Sequence, residues 1–285
     1  MSEQAYTSVT QREWLRVLPD LVRARELLRD LVWKDLRARY RYAVMGFLWA
    51  VLEPLAFTLI LTFVFSVLLA DKAAFLRSDN GPPFTTMLLC GLIFWQFTAT
   101  ALASATFSLV INQNLVKKVH FARETIPLAT VCVPLVNLGV GFLLLLGVHL
   151  LLGGRLSLAL VWVLPVFGIQ FALTAGLALI FSSAHVHFRD VGNMVNVAIL
   201  FGFYASPVFY PLERVTQSGV LPAWVVHAYL LNPMAGLLTA YRQILFDGRF
   251  PDWTLLMWPA ALAGLVLIGG SLLFRRAAPT FSDYL

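Results

Sequence analysis

Charge is scarce in this sequence. Only 13% of its 285 residues are Asp, Glu, Lys or Arg, and lysine occurs just four times, at Lys34, Lys72, Lys117 and Lys118. None of the four ends a G-x-x-x-x-G-K-[ST] loop, so this chain offers no phosphate cradle, and any ATP use belongs to another subunit. Cysteine is almost as rare: Cys90 and Cys132 both sit in apolar stretches and fit no metal or redox spacing, which makes them small lipid-buried residues rather than a disulfide. Internal repeats and low-complexity tracts are missing too. What is abundant is apolar. Hydrophobic residues make up 59% of the chain and the mean hydropathy is +0.78, which excludes a disordered tail and an ordinary soluble enzyme.

The apolar residues come in blocks. Six of them, roughly 42–70, 84–111, 126–152, 156–184, 191–212 and 252–274, meet the requirement of about 20 residues for crossing a bilayer. The spacing therefore predicts an all-α integral membrane protein with six transmembrane helices. Pro54, Pro134 and Pro165 lie inside these runs, where a lost backbone bond predicts local kinks. Of the 21 lysines and arginines, fifteen lie in the N-terminal segment, the loops after the second and fourth spans and the tail, against six on the opposite side. The net charge of +6 is thus distributed as an orientation signal, with both termini cytoplasmic, rather than as a nucleic-acid-binding face. The basic lead before residue 42 is far too long for a cleaved signal peptide, so it is expected to be retained.

Two segments depart from a simple bundle. Between Leu21 and Tyr40 apolar residues recur at helical spacing (Leu28, Val32, Leu36, Tyr40) among many charges, the pattern of an amphipathic helix lying on the membrane interface or packed on a partner. Residues 211–250 are broken by Gly219, Pro222, Asn232-Pro233 and Gly236, and predict a re-entrant hairpin of two short helices on the outer side between the fifth and sixth spans. The expected organisation is a cytoplasmic segment 1–41, a six-span domain 42–274 and a cytoplasmic tail 275–285.

Candidate chemistry is thin. Glu53, one of few ionisable residues in a span, either marks the cytoplasmic mouth of a conduit or pairs with Arg39 or Arg41. Ser182, Ser183, His185, His187, Arg189 and Asp190 cluster after the fourth span. His-x-His without further ligands is better read as a polar turn, so no catalytic residue and no metal site is assigned. Aromatic residues such as Trp49, Phe57, Phe201, Tyr204 and Tyr210 are candidates, with Glu53, for lining a substrate path, because an aromatic ring stacks on the apolar face of a pyranose.

The loop after the second span reads Asn112-Gln113-Asn114-Leu115-Val116-Lys117-Lys118-Val119-His120-Phe121-Ala122-Arg123-Glu124-Thr125-Ile126-Pro127-Leu128. It resembles the coupling-helix region of ABC-2 type permeases that export polysaccharides, the group of O-antigen, capsule and teichoic acid transporters. Arg39-Tyr40 leading to Gly46, Trp49 and Pro54, then Phe188-Arg189-Asp190, Ser206-Pro207-Val208-Phe209-Tyr210-Pro211 and Asn232-Pro233, agree in order and spacing. Ala122 stands where the family's loop usually has a proline. The resemblance implies a homodimer in the plasma membrane working with two copies of a cytoplasmic ATPase, which would hold ATP and Mg2+; no cofactor is expected on this chain. It implies that Asn114, Lys117, Lys118, His120, Phe121, Arg123 and Glu124 contact that ATPase, with Arg189 and Asp190 adding to the surface. Lys117, Lys118 and Arg123 equally suit anionic lipid head groups. The implied cargo is a lipid-linked glycan; the alternative is an ABC-2 permease for a drug or small lipid.

Overall fold

The computed structural model describes residues 25–40, 48–65, 83–118, 121–216 and 222–285, and no strand occurs among them. Four helical stretches are long and apolar enough to cross a membrane: Phe84–Ile111, Thr125–Leu151, Leu158–His187 and Trp253–Tyr284. The chain is an all-helical, multi-pass membrane protein. We number its helices α1 (Arg25–Tyr40), α2 (Trp49–Phe63), α3 (Phe84–Ile111), α4 (Gln113–Lys118), α5 (Thr125–Cys132), α6 (Pro134–Leu151), α7 (Val163–His187), α8 (Val191–Ala205), α9 (Glu213–Thr216), α10 (Ala223–Leu230), α11 (Pro233–Arg242), α12 (Trp253–Ala277) and α13 (Phe281–Tyr284).

α3 is the axis of the bundle. Its apolar residues run around the whole circumference, and it packs against α2, α5, α6, α7, α8 and α11. The most extensive contact lies between α7 and α12, and glycine allows it. A Cβ on Gly176 would stand 2.6 Å from the Leu267 nitrogen, and one on Gly270 2.5 Å from the Gly176 carbonyl oxygen, so the two backbones touch. At α7's other flank, Gln170 crosses to α3. Its Nε2 donates to Phe94 O at 2.7 Å and to Thr98 Oγ1 at 2.9 Å, and its Oε1 accepts from the Tyr241 hydroxyl at 2.7 Å. The Tyr241 ring lies flat on Phe94, with centroids 3.5 Å apart. Membrane helices lack a strong hydrophobic drive toward one another, so close backbone contact and buried amides do the specifying.

Proline acts where its missing N–H decides. Pro134 starts α6, but Val133 before it keeps a helical backbone (φ −58°, ψ −48°), so the stretch Thr125–Leu151 continues through it. Pro54 lies within α2. Pro165, expected as a kink, instead falls in the first turn of α7, where no helical bond is lost. The apolar run 191–212 is helical only to Ala205; Ser206 is extended (φ −110°, ψ 150°). In the segment 211–250, α10 is largely exposed and α11 is buried along its whole length. Asn232 explains the Asn-Pro pair: its Oδ1 accepts from Met234 N at 2.9 Å to cap α11, while its Nδ2 donates to Ala205 O and Ser206 Oγ, both at 2.9 Å. Arg242, at the other end of α11, donates to Val208 O at 2.7 Å and Tyr210 O at 2.8 Å. α11 is thereby bonded to the exit of α8 at both its ends.

Candidate functional site

Two places concentrate polar side chains. The first is a cavity of about 390 Å³ walled by α2, α3, α6 and α8. Its polar lining is Glu53, Gln96, Thr100, Asn137 and Asn196, with Gln96 Nε2 donating to Glu53 Oε1 at 3.5 Å. Its aromatic lining is Phe57, Trp95, Phe97, Phe203 and Tyr204. The rings meet edge to face: Phe57 and Phe203 at 6.3 Å, and Phe203 and Tyr204 at 5.2 Å. Gly202 lets Trp95 reach the wall, since a Cβ there would lie 2.7 Å from its ring. Leu92 and Thr100 both line the cavity, so it extends roughly 12 Å along α3 at 1.5 Å per residue. Five amide, hydroxyl and carboxylate groups beside five aromatic residues can hydrogen-bond and stack on the same ligand, as a carbohydrate requires.

Of the residues singled out for a substrate path, Glu53, Phe57 and Tyr204 come together here. Trp49 and Phe201, 53% and 74% exposed, are not part of its wall. Tyr210 lies away from it, donating to Tyr204 O at 3.0 Å and accepting from the Tyr229 hydroxyl at 3.1 Å. Glu53 is exposed toward the cavity and bonded by Gln96; the side chain of Arg39 and all of Arg41 lie outside the described residues. Sequence reasoning missed Gln96, Asn137 and Asn196. A signal existed for the asparagines, because a polar residue in an apolar run faces protein or a cavity rather than lipid.

The second place is the end of the bundle at which α3, α7 and α12 finish and α5 and α8 begin, here called the near end. α1 packs against α5 there, with Leu27, Leu28, Leu31 and Val32 in one cluster with Leu109, Val116, Ile126, Phe274 and Phe281. The amphipathic face of α1 is thus covered by protein. Lys34 Nζ donates to Asn112 Oδ1 at 2.7 Å, which ties α1 to the start of α4. The opposite face of α1 presents Trp33, 52% exposed, in a groove rimmed by Arg29, Asp30, Lys34 and Arg37.

The residues expected to couple to a partner distribute unevenly around this end. Asn114, Lys117, Lys118, Arg189 and Asp190 are exposed, and Phe121 and Arg123 are half-buried. Glu124 is only 5% exposed and is held by Arg275, whose Nε donates to Oε1 at 2.6 Å and Nη2 to Oε2 at 3.3 Å. Arg123 donates to the Ala278 carbonyl. His120 lies outside the described residues. Ser182, Ser183, His185 and His187 form the last turns of α7 rather than a loop, and only Arg189 and Asp190 occupy the turn to α8. His185 packs edge-on against Phe107, while His187 turns away to Thr280 Oγ1 at 3.1 Å, so the two imidazoles serve different neighbours.

Residues 26–246 match the family model described as ABC-2 type transporter. The chain is 29% identical over 273 residues to the O-antigen export system permease protein RfbA of Myxococcus xanthus, covering 94% of this chain and 99% of that one. It is 30% identical over 228 residues to the protein of the same name from Klebsiella pneumoniae, covering 78% and 81%. The polysialic acid transport protein KpsM of Escherichia coli is 26% identical over 257 residues, covering 86% and 91%. A family match across most of the chain, on an all-helical membrane bundle, places it: this chain belongs to the ABC-2 type transporter family.

Proposed function

We propose that the chain is the transmembrane subunit of an ATP-driven exporter that moves a lipid-linked polysaccharide across the plasma membrane. The observation that carries this reading is the correspondence over 94% of the chain with a protein named for O-antigen export. Relatives named for O-antigen and polysialic acid favour a glycan over a drug or small lipid. A membrane-level cavity that mixes amides with aromatic rings suits sugars on the same grounds.

In this reading two copies of the chain and two copies of a cytoplasmic ATPase make the working unit, and ATP with Mg2+ binds the ATPase. The near end faces the cytoplasm, as the excess of basic residues there favours. α2 and α8, shorter in the described structure than the four long spans, complete six spans, and 211–250 forms a re-entrant outer segment in which buried α11 is sheltered by protein. The 1–41, 42–274 and 275–285 division follows. The docking surface is the outward face of α1 with Trp33, the exposed Asn114, Lys117 and Lys118, His120 and Phe121, and the turn of Arg189 and Asp190. Arg123 and Glu124 serve it from below, holding the loop in place. Glu53, Phe57 and Tyr204, joined by Gln96, Asn137 and Asn196, line the substrate path; Trp49, Phe201 and Tyr210 stand outside it. The ATPase shifts the permease only by binding its conformations with different affinity.

Deleting the gene while leaving the ATPase gene intact tests the proposal. Lipid-linked glycan is then quantified on each membrane leaflet. Accumulation on the cytoplasmic leaflet with loss of surface polymer is expected. Unchanged surface glycan would overturn the reading and bring the small-amphiphile exporter forward.

A further inference from the structure

The residues that follow α12 do not hang from the bundle. Arg275 grips Glu124 with two donors on the two carboxylate oxygens, with side chains 18% and 6% exposed. Ala278 O accepts from Arg123 on the same loop. Two residues on, the chain meets the end of α7, where Thr280 Oγ1 lies 3.1 Å from His187 Nε2 and the His187 ring lies 4.7 Å from that of Tyr284. Phe281, fully buried, packs edge-on against Phe274 at 5.2 Å, which fixes the fold-back onto α12. One short stretch is therefore bonded both to the loop between α4 and α5 and to the end of α7.

We propose that residues 275–284 form a strut that delivers displacement of the loop 112–125 to the α7–α12 pair, with Glu124 and Arg275 as its positioning residues. This rests on the reading that the loop is where the ATPase acts. A loop passes on a displacement only to what it is rigidly bonded to. Along the chain the loop leads into α5 and on through Val133, itself helical, into α6, so that route serves the stretch Thr125–Leu151 and not α7 or α12. Through the buried, two-pronged Glu124–Arg275 pair the same push enters α12, whose only proline, Pro259, lies toward its far end, and which is in backbone contact with α7 at Gly176 and Gly270. The strut thus connects the cytoplasmic loop to the two helices whose mutual contact is largest.

The test uses the complex of full-length permease and ATPase in liposomes, with E124Q, R275Q and the exchange E124R/R275E. The neutral singles are expected to keep the ATPase bound while lowering glycan exported per ATP hydrolysed by about tenfold. The exchange restores the pair with reversed polarity and should recover export. Singles that export like wild type would overturn the proposal, as would an exchange no better than the singles. If the singles fail to accumulate, the exchange alone decides in the same way, because a carboxylate or guanidinium left alone in a buried site is destabilising for reasons unrelated to coupling. Should the wild-type complex move no glycan, the export reading fails, and the strut is still read from permease-stimulated ATP hydrolysis, which is expected to fall in E124Q and return in the exchange. An ATPase that binds the wild type yet hydrolyses ATP equally with every variant would overturn the strut alone.

Discussion

Replacing Gln170 by leucine tests how the bundle holds its shape. The side chain is fully buried and makes three hydrogen bonds, to Phe94 O, Thr98 Oγ1 and the Tyr241 hydroxyl. At the roughly 0.6 kcal/mol typical of bonds between membrane helices, losing three costs about 2 kcal/mol. The Tyr241 hydroxyl, also fully buried, is left without its acceptor, which adds about 2 kcal/mol more. Gln170→Leu should therefore destabilise by about 4 kcal/mol. Tyr241→Phe removes a single bond and keeps the ring stacked on Phe94, but it leaves the buried Gln170 Oε1 without its donor, so its cost is about 3 kcal/mol. The double variant has no hydroxyl to strand and should cost about 2 kcal/mol, well under the sum of the singles. Reversible unfolding in bicelles, followed by steric trapping, measures all three free energies. An additive double variant, or a Gln170→Leu protein as stable as wild type, would refute the assignment of this amide as the pin between α3, α7 and α11.

Other outcomes follow from the same geometry. Gly176→Ala forces a methyl against the Leu267 backbone and should cost about 1 to 3 kcal/mol in the same unfolding assay, whereas Gly269→Ala, whose Cβ meets nothing within 4 Å, should be neutral or mildly stabilising. Arg242→Met frees the Val208 and Tyr210 carbonyls and should destabilise by about 3 kcal/mol; protease susceptibility should rise at 206–211 before it rises elsewhere. Asn196→Leu and Asn137→Leu, which turn two cavity groups apolar, should lower the export rate while membrane insertion, measured by fractionation, stays at the wild-type level.

The apolar blocks made the long helices legible, because a bilayer demands about 20 apolar residues and few other folds do. The connections at 112–125 and 188–190 were legible as polar interruptions between those blocks. What the sequence hid is tertiary. Glu124 reads as an exposed coupling residue until Arg275, far along the chain, is seen to bury it. Gln96 and Glu53 come from different helices, and no local pattern announces their meeting in one cavity. Phe201 and Tyr204 are both aromatic and three residues apart on α8, yet only Tyr204 faces the cavity, a distinction set by helix rotation that residue type alone does not carry. The turn at Ser206 is legible only in retrospect: Asn232 satisfies the Ala205 carbonyl that ends α8, and Arg242 satisfies the Val208 and Tyr210 carbonyls beyond it, from the two distant ends of α11.

The central claim is that a glycan crosses the membrane along the cavity between α2, α3, α6 and α8. A photo-crosslinking amino acid placed at Tyr204, on the cavity wall, and at Leu265, on the exposed face of α12, tests it most directly in cells carrying out export. The account predicts polysaccharide attached at position 204 and only lipid at 265. Equal polysaccharide labelling at both positions, or labelling at 265 alone, would contradict it.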